Sequence, residues 1–161
     1  MNRPIVGVIG TADASNRECE MAAETGRLIA KKGWILVNGG LTGVMEAVSR
    51  GAAEAKGVVV GILPQESTDF ANKYVTIPIA TNMGHARNAI IVHTADMLIA
   101  IGGGLGTLSE IAIARKLGKP VFAIGSWEVA EVVAVPDARA AIEACQKHLD
   151  ESLRGTKKRG P

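Results

Sequence analysis

Aromatic residues are scarce in this chain, since Phe, Trp and Tyr make up only 3% of its 161 residues. A hydrophobic core must therefore be built from Val, Ile, Leu and Ala, which favours helices packed on a buried parallel sheet. Because 47% of the residues are hydrophobic, the chain is large and apolar enough for one globular domain. We expect this domain to span residues 1–154, followed by a basic, flexible tail at 155–161.

A strong charge imbalance and paired cysteines are also missing. The formal net charge is +2, and no basic stripe is interleaved with aromatic residues, so nucleic-acid binding has no electrostatic support. The two cysteines, Cys19 and Cys145, lie far apart and outside any Cys-x-x-Cys spacing, as is typical of thiols in a reducing compartment. The three histidines have no metal-ligand spacing, so we expect no metal site.

Long apolar runs are absent as well. No segment is long enough to span a bilayer, and no signal-peptide pattern is present at the N-terminus. We therefore expect a cytoplasmic protein that has neither a membrane nor a nucleic acid as its partner.

Short apolar runs alternate with stretches of helical periodicity along the chain, which predicts a Rossmann-like fold: a doubly wound, mainly parallel sheet with helices on both faces. Pro78 predicts that its strand ends there or lies at the sheet edge. The predicted strands are 5–9, 34–37, 58–63, 75–79, 96–101, 121–124 and 132–135, and the predicted helices are 15–32, 42–56, 82–94, 105–117 and a last helix that begins at Pro136 and Asp137.

Glycine-rich loops follow several of these strands, at the edge where ligands bind to such sheets. Glycines could merely form tight corners, but they also let the backbone approach a ligand, and free N–H groups at a helix start attract anions. Two glycine-rich loops at one edge favour phosphate binding. The predicted contacts are Gly10, Thr11, Gly39, Gly40, Thr42, Gly43, Gly103, Gly104, Leu105, Gly106 and Thr107.

Standard nucleotide fingerprints are missing from these loops. The chain contains neither G-x-G-x-x-G in its first βα turn nor G-x-x-x-x-G-K-[ST], which disfavours an ordinary NAD dehydrogenase or a P-loop NTPase. Thr107 and Glu110 offer two interpretations. The pair has the spacing of a capping box at a helix start, in which Glu110 bonds the Thr107 backbone N–H, and Glu110 is also a candidate catalytic carboxylate beside a phosphate site.

Three segments carry a resemblance to a known family. Gly103–Glu110 resembles the GGxGTxxE motif of the LONELY GUY and lysine decarboxylase-like superfamily. Asn38–Met45 resembles its GGGxxGLM element, and Gly84–Asn88 falls where that family has its MHERK segment. Together with the order of the strands, the resemblance covers most of residues 4–150.

The resemblance implies a catalytic pair. LONELY GUY proteins hydrolyse the N-glycosidic bond of cytokinin riboside 5′-monophosphates, and the matching positions here are Arg87 and Glu110. Arg87 and Asn88 are further implied as ligand contacts. We expect the helix N-terminus to keep Glu110 ionised, so that the carboxylate would stabilise an oxocarbenium-like transition state or activate water.

Departures from the motif point to a second branch. Gly102 replaces the family's proline, Asn88 replaces its lysine, Glu46 replaces a glycine, and Asn38 stands at the first position of the glycine triplet. These forms are more similar to molybdenum cofactor carrier proteins, which bind a phosphate-bearing pterin without needing hydrolysis. The missing lysine weakens the case for a hydrolase more than the case for binding.

Two functions therefore stay open, with a nucleotide sensor as a weaker third. The first is binding of molybdenum cofactor or an AMP-like nucleotide, with no cofactor required for chemistry. The second is a nucleoside 5′-monophosphate phosphoribohydrolase. Lysine decarboxylation is excluded, because no lysine lies in the context that a pyridoxal phosphate Schiff base needs. The resemblance and the apolar helices around 84–94 and 107–117 predict a homodimer or homotetramer.

Overall fold

The computed structural model describes residues 3–157. Its strands are β1 (Ile5–Gly10), β2 (Ile35–Asn38), β3 (Val58–Leu63), β4 (Ile77–Ala80), β5 (Met97–Ile101), β6 (Val121–Ile124) and β7 (Val133–Ala134). All strand pairs are parallel, and the strand order is β4-β3-β2-β1-β5-β6-β7. The order reverses between β1 and β5, which makes the carboxyl ends of these two strands the topological switch point.

Helices cover both faces of the sheet. They are α1 (Asn16–Lys31), α2 (Val44–Glu54), α3 (Asn88–Thr94), α4 (Leu105–Lys116) and α5 (Ala138–Lys157), with short 3₁₀ turns at Thr68–Phe70 and Gly84–Arg87. Helices α1, α2 and α5 pack on one face and α3 and α4 on the other. The predicted doubly wound α/β fold is confirmed.

Strand β5 shows how the sequence builds this three-layer arrangement. All five of its residues are buried. Met97, Ile99 and Ile101 belong to the core beneath α1, α2 and α5, whereas Leu98 and Ala100 belong to the core beneath α3 and α4. Alternate side chains of a strand point to opposite faces, so a continuous apolar run is what a strand covered on both sides requires.

Element boundaries agree with the predicted ones to within about three residues, with one exception. Pro78 lies in β4 at the sheet edge, as predicted. The predicted helix 82–94 is instead a 3₁₀ turn followed by α3. Gly84 has a left-handed φ of +55°, and its N–H donates to the Pro64 carbonyl at 3.0 Å. A right-handed α-helix cannot begin before such a residue.

The expected boundary between domain and tail falls inside a helix, because α5 continues past residue 154 to Lys157. Residues 158–161 of the expected tail lie outside the described residues. Within residues 3–157, no helix is both long and apolar enough to cross a membrane.

Candidate functional site

The loops after β1 and β2 are locked to each other at the carboxyl edge of the sheet. The Val44 backbone N–H donates to the Thr11 carbonyl at 3.0 Å, and the Thr42 hydroxyl donates to the Ala12 carbonyl at 3.3 Å. Between them, Gly43 has a φ of +64°, and a Cβ there would overlap the Thr11 carbonyl oxygen. At the end of β1, a Cβ at Gly10 would overlap the Val44 side chain. The structure therefore brings four predicted site residues together, namely Gly10, Thr11, Thr42 and Gly43.

Asn38 stabilises the glycine loop after β2 by hydrogen bonds inside the protein. Its side chain is fully buried, its Oδ1 accepts from the Gly40 N–H at 2.7 Å, and its Nδ2 donates to the Ser49 hydroxyl at 2.9 Å. Gly40 itself packs against Leu63, and its carbonyl accepts from the Asn72 N–H at 2.8 Å. The asparagine that departs from the family's glycine triplet thus shapes the turn, and Gly40 lies against the protein.

Arg87 is a buried cation in the 3₁₀ turn, with only 8% of its surface exposed. Its guanidinium lies against Gly39, where a Cβ would overlap Nη1 and come within 2.6 Å of the Met45 sulfur. Within the described part of the chain, the Arg87 side chain has no ion-pair partner, and its buried Nε has no hydrogen-bond partner. Burial lowers the pKa of Arg87, and the nearby Glu110 carboxyl opposes this shift.

Glu110 lies on the buried side of α4 with 6% of its surface exposed. Burial raises the pKa of this carboxyl to about 8, and the positive charge of Arg87 limits the increase. The expectation that the helix N-terminus keeps Glu110 ionised is therefore wrong. Helix α4 begins at Leu105, so Glu110 lies in the second turn, beyond the strongest effect of the helix dipole, and desolvation dominates.

The capping-box interpretation of Thr107 and Glu110, one of the two that the sequence left open, is contradicted by the structure. The N-cap of α4 is Gly104, which has no side chain to bond the first turn. Thr107 is instead a buried residue of that turn, and its side chain packs on Gly103, which has a φ of +118°. Every α-helix begins with backbone N–H groups that lack a partner within the helix. Among residues 3–157, no side chain caps those at the start of α4.

The start of α4 is open to its surroundings. Ideal Cβ positions at Gly104 and Gly106 have no atom of another described residue within 4 Å, and Leu105 between them is 78% exposed. Nearby, the Asn88 side-chain amide lies 3.5 Å from the Ser109 hydroxyl and links α3 to α4. Of the predicted residues in this loop, Gly104, Leu105 and Gly106 are exposed, whereas Gly103 is half-buried and Thr107 is buried.

Three residues beside this loop were missed by sequence reasoning. The Ser126 hydroxyl donates to the Gly102 carbonyl, and the Trp127 indole N–H donates to the Gly104 carbonyl at 3.1 Å. The Glu18 carboxylate occupies the space where a side chain at Gly102 would begin. Only Glu18 had a signal in the sequence, because Ser15 and Glu18 have the spacing of a capping box, which the structure contains.

Fold and site together define a Rossmann-like α/β protein with glycine loops, a buried arginine and a buried glutamate near each other, and an open helix start near its switch point. The chain belongs to the SLOG cluster4 family, which it matches over residues 3–151.

Three individual proteins show what this chain is similar to. A protein of Archaeoglobus fulgidus, described only as uncharacterized, is 53% identical over 119 residues, which cover 74% of this chain and 78% of that protein. A cytokinin riboside 5′-monophosphate phosphoribohydrolase of Mycobacterium tuberculosis is 33% identical over 117 residues, which cover 67% of this chain and 63% of that enzyme. The solved molybdenum cofactor binding protein from the phototrophic bacterium Rippkaea orientalis superposes with a TM-score of 0.89 at 38% identity, covering 92% of this chain and 99% of that one.

These findings confirm the resemblance to the LONELY GUY superfamily and to its molybdenum cofactor carrier branch. The match to the mycobacterial enzyme spans less than two thirds of that enzyme's length.

Proposed function

We propose that this protein binds a phosphate-bearing nucleotide or pterin-type cofactor and acts as a carrier. The observation that carries the proposal is Arg87, a buried guanidinium whose Nε has no partner among the described residues. Leaving a buried charged donor unpaired costs folding free energy, so this arrangement favours an anionic ligand that supplies the missing acceptors.

Phosphate is the anion that best suits the surrounding groups. The guanidinium has five N–H donors in a planar fork that matches phosphate oxygens, and the free N–H groups at the start of α4 add further donors. Gly104 and Gly106 leave that helix start unobstructed. A phosphate held between the helix start and Arg87 would leave the organic part of the ligand outside the loop.

A carrier role is supported by two observations. The molybdenum cofactor binding protein of Rippkaea orientalis matches this chain over nearly the full length of both. Asn88 stands where the phosphoribohydrolase motif has a lysine, so one charge of that motif is missing here.

The test is a binding titration of AMP, GMP and inorganic phosphate by calorimetry. Replacing Arg87 by Met keeps the length of the side chain and removes the charge, so phosphate affinity should fall at least about tenfold. Arg50→Met changes an exposed arginine on α2 and serves as the control. Unchanged affinity in Arg87→Met would contradict the proposal, and mass spectrometry of a small molecule that co-purifies anaerobically would identify the cargo.

Glu110 favours a second candidate function, hydrolysis of the N-glycosidic bond of a nucleoside 5′-monophosphate. With its pKa raised to about 8, this carboxyl holds a proton at neutral pH and is suited to act as a general acid beside Arg87. In this reaction the bond between ribose C1′ and the base nitrogen breaks, and the proton of Glu110 goes to the base. Water adds to C1′, and its proton returns to the carboxylate.

Chromatography of AMP or isopentenyladenosine monophosphate incubated with the protein tests this second function. Hydrolysis predicts free base and ribose 5-phosphate, and Glu110→Gln should abolish release of the base while leaving phosphate binding intact. Absence of free base at high protein concentration would exclude hydrolysis and leave the carrier function.

Self-association stays a prediction. Met83, Leu105 and Leu117 are exposed near or on α3 and α4, at 49%, 78% and 41%. Sedimentation velocity measures the assembly directly, with a homodimer or homotetramer as the expected result and a monomer as the contradicting one.

A further inference from the structure

A crevice of about 410 Å³ opens beside Gly102 and Gly103, just before the start of α4. We call it the Glu18 crevice. It is lined by Glu18, Gly102, Gly103, Gly125, Ser126, Trp127 and Glu128. Because Gly102 and Gly103 belong to the proposed phosphate loop, a ligand anchored there by its phosphate can place a neighbouring ring in this crevice.

Glu18 holds one carboxylate oxygen ready for a ligand. Its Oε2 accepts from the Ser15 N–H at 2.7 Å and from the Ser15 hydroxyl at 2.9 Å, which fixes the side chain. Its Oε1 accepts no hydrogen bond from any described residue and lies against Gly102. The two lone pairs of Oε1 are thus available at the wall of the crevice.

The Glu18 carboxylate can occupy this position because Gly102 has no side chain. A Cβ at this residue would overlap the Glu18 Oε1, and the φ of +53° also disfavours any other residue. The proline that the resembling hydrolase motif has at this position would therefore exclude the observed position of the carboxylate. The arrangement is a property of the glycine form of the motif.

Trp127 supplies an aromatic surface on the same wall. Its indole N–H donates to the Gly104 carbonyl at 3.1 Å, so the ring is attached to the phosphate loop itself. The side chain is still 36% exposed. A half-exposed and anchored indole is suited to pack against a flat heterocycle.

We propose that the Glu18 crevice binds a heterocycle that carries a 2-amino-4-oxopyrimidine ring, as guanine and pterins do, and this inference rests on the proposed phosphate-binding function. Such rings have a ring N–H and an amino N–H that point the same way side by side, and the two lone pairs of Glu18 Oε1 can accept from both. Adenine places its amino group beside an unprotonated ring nitrogen, whose lone pair would face the lone pairs of Glu18. The crevice therefore selects guanine and pterin compounds over adenine compounds.

Titrations of GMP, AMP and a pterin monophosphate test the selectivity. Glu18→Gln retains an oxygen that can accept from Ser15, so the α1 cap is kept. In this variant the affinity for GMP and the pterin should fall at least about tenfold, while the affinity for AMP changes less than about twofold. Glu20→Gln, an exposed carboxylate on the same helix, is the matched control. A difference between the affinities for GMP and for the pterin would show which of these two compounds the crevice prefers. Either preference would support the proposal.

Tryptophan fluorescence gives a second measurement. Because the chain has two tryptophans, Trp34→Phe leaves Trp127 as the remaining reporter. Saturable quenching of its emission by GMP or the pterin is the expected result.

The outcomes separate the two proposals. If AMP and GMP bind with equal affinity and Glu18→Gln changes neither, the crevice proposal is overturned while phosphate binding stands. If no phosphate compound binds and Arg87→Met has no effect, both proposals fall.

Discussion

The two glycine loops of this protein have similar compositions and opposite surroundings. In the first, Asn38–Gly43, backbone groups bond to Asn38 and Asn72, and the loop is packed against Arg87, Leu63 and the β1 loop. In the second, Gly102–Gly106, an ideal Cβ position at either of the last two glycines has no atom within 4 Å from the rest of the described chain. The first loop is closed by the protein, and the second is open at its end.

This difference shows that glycine has two separate uses at one sheet edge. In the first loop, the missing side chains make room for other protein atoms, including the guanidinium of Arg87 against Gly39. In the second, they leave the N–H groups of a helix start accessible. Substitutions in the first loop should therefore affect stability, and substitutions at the open end of the second should affect ligand binding.

The largest effect is expected for Gly43→Ala. The residue has a φ of +64°, and its new Cβ would overlap the Thr11 carbonyl oxygen. Left-handed strain and the steric overlap together should lower the free energy of unfolding by about 3 kcal/mol. Urea denaturation measures this change. A loss below about 0.5 kcal/mol, the ordinary size for a surface substitution, would show that the first loop is not closed as described.

The second-largest loss of stability is expected for Asn38→Ala. It removes the acceptor of the Gly40 N–H and the donor to Ser49, all of them buried. Leaving such groups unpaired should cost about 2 kcal/mol. A double-mutant cycle with Ser49→Ala checks the cause, because the two substitutions should be non-additive if Asn38 acts through this hydroxyl.

Protonation of Glu110 should make stability depend on pH. Its pKa is about 8 in the folded protein against an ordinary value of 4.5. Between these values the folded state holds a proton that the unfolded chain has lost, so this contribution is fully present below pH 4.5 and is lost as pH rises through 8.

Glu110→Gln should therefore flatten the fall in the free energy of unfolding between pH 5 and 8 by about 1 kcal/mol or more. Glu143→Gln, an exposed carboxylate on α5, should follow the wild-type profile. Parallel profiles for Glu110→Gln and the wild-type protein would contradict the protonated state.

The smallest effect on stability is expected for Gly106→Ala, in the open loop. The new methyl group meets no atom of residues 3–157 within 4 Å, and the position is helical. Alanine favours a helix over glycine by about 1 kcal/mol, so the variant should be as stable as the wild type or slightly more stable. Affinity for phosphate compounds should nevertheless fall, because the methyl group covers the helix start. Weaker binding together with lost stability would remove the distinction between the loops.

Much of the fold could be predicted because its signals are local. The apolar run at Met97–Ile101 identifies a strand covered on both faces, and Pro78 identifies the edge strand. The 3₁₀ turn before α3 could not be predicted, since it depends on the bond from Gly84 to Pro64 in another loop. The protonation of Glu110 was predicted in the wrong direction, because the sequence shows its distance from a helix start but not its burial.

By itself, the sequence determined the alternation of strands and helices, the carboxyl edge as the ligand side and the positions of the glycine loops, because these follow from periodicity and chain connectivity. Tertiary structure alone decided that Arg87 is buried against Gly39, that burial raises the pKa of Glu110, and that Glu18 occupies the space beside Gly102. These properties depend on desolvation and on contacts between residues far apart in the chain, and neither is encoded in the local pattern around any one of them.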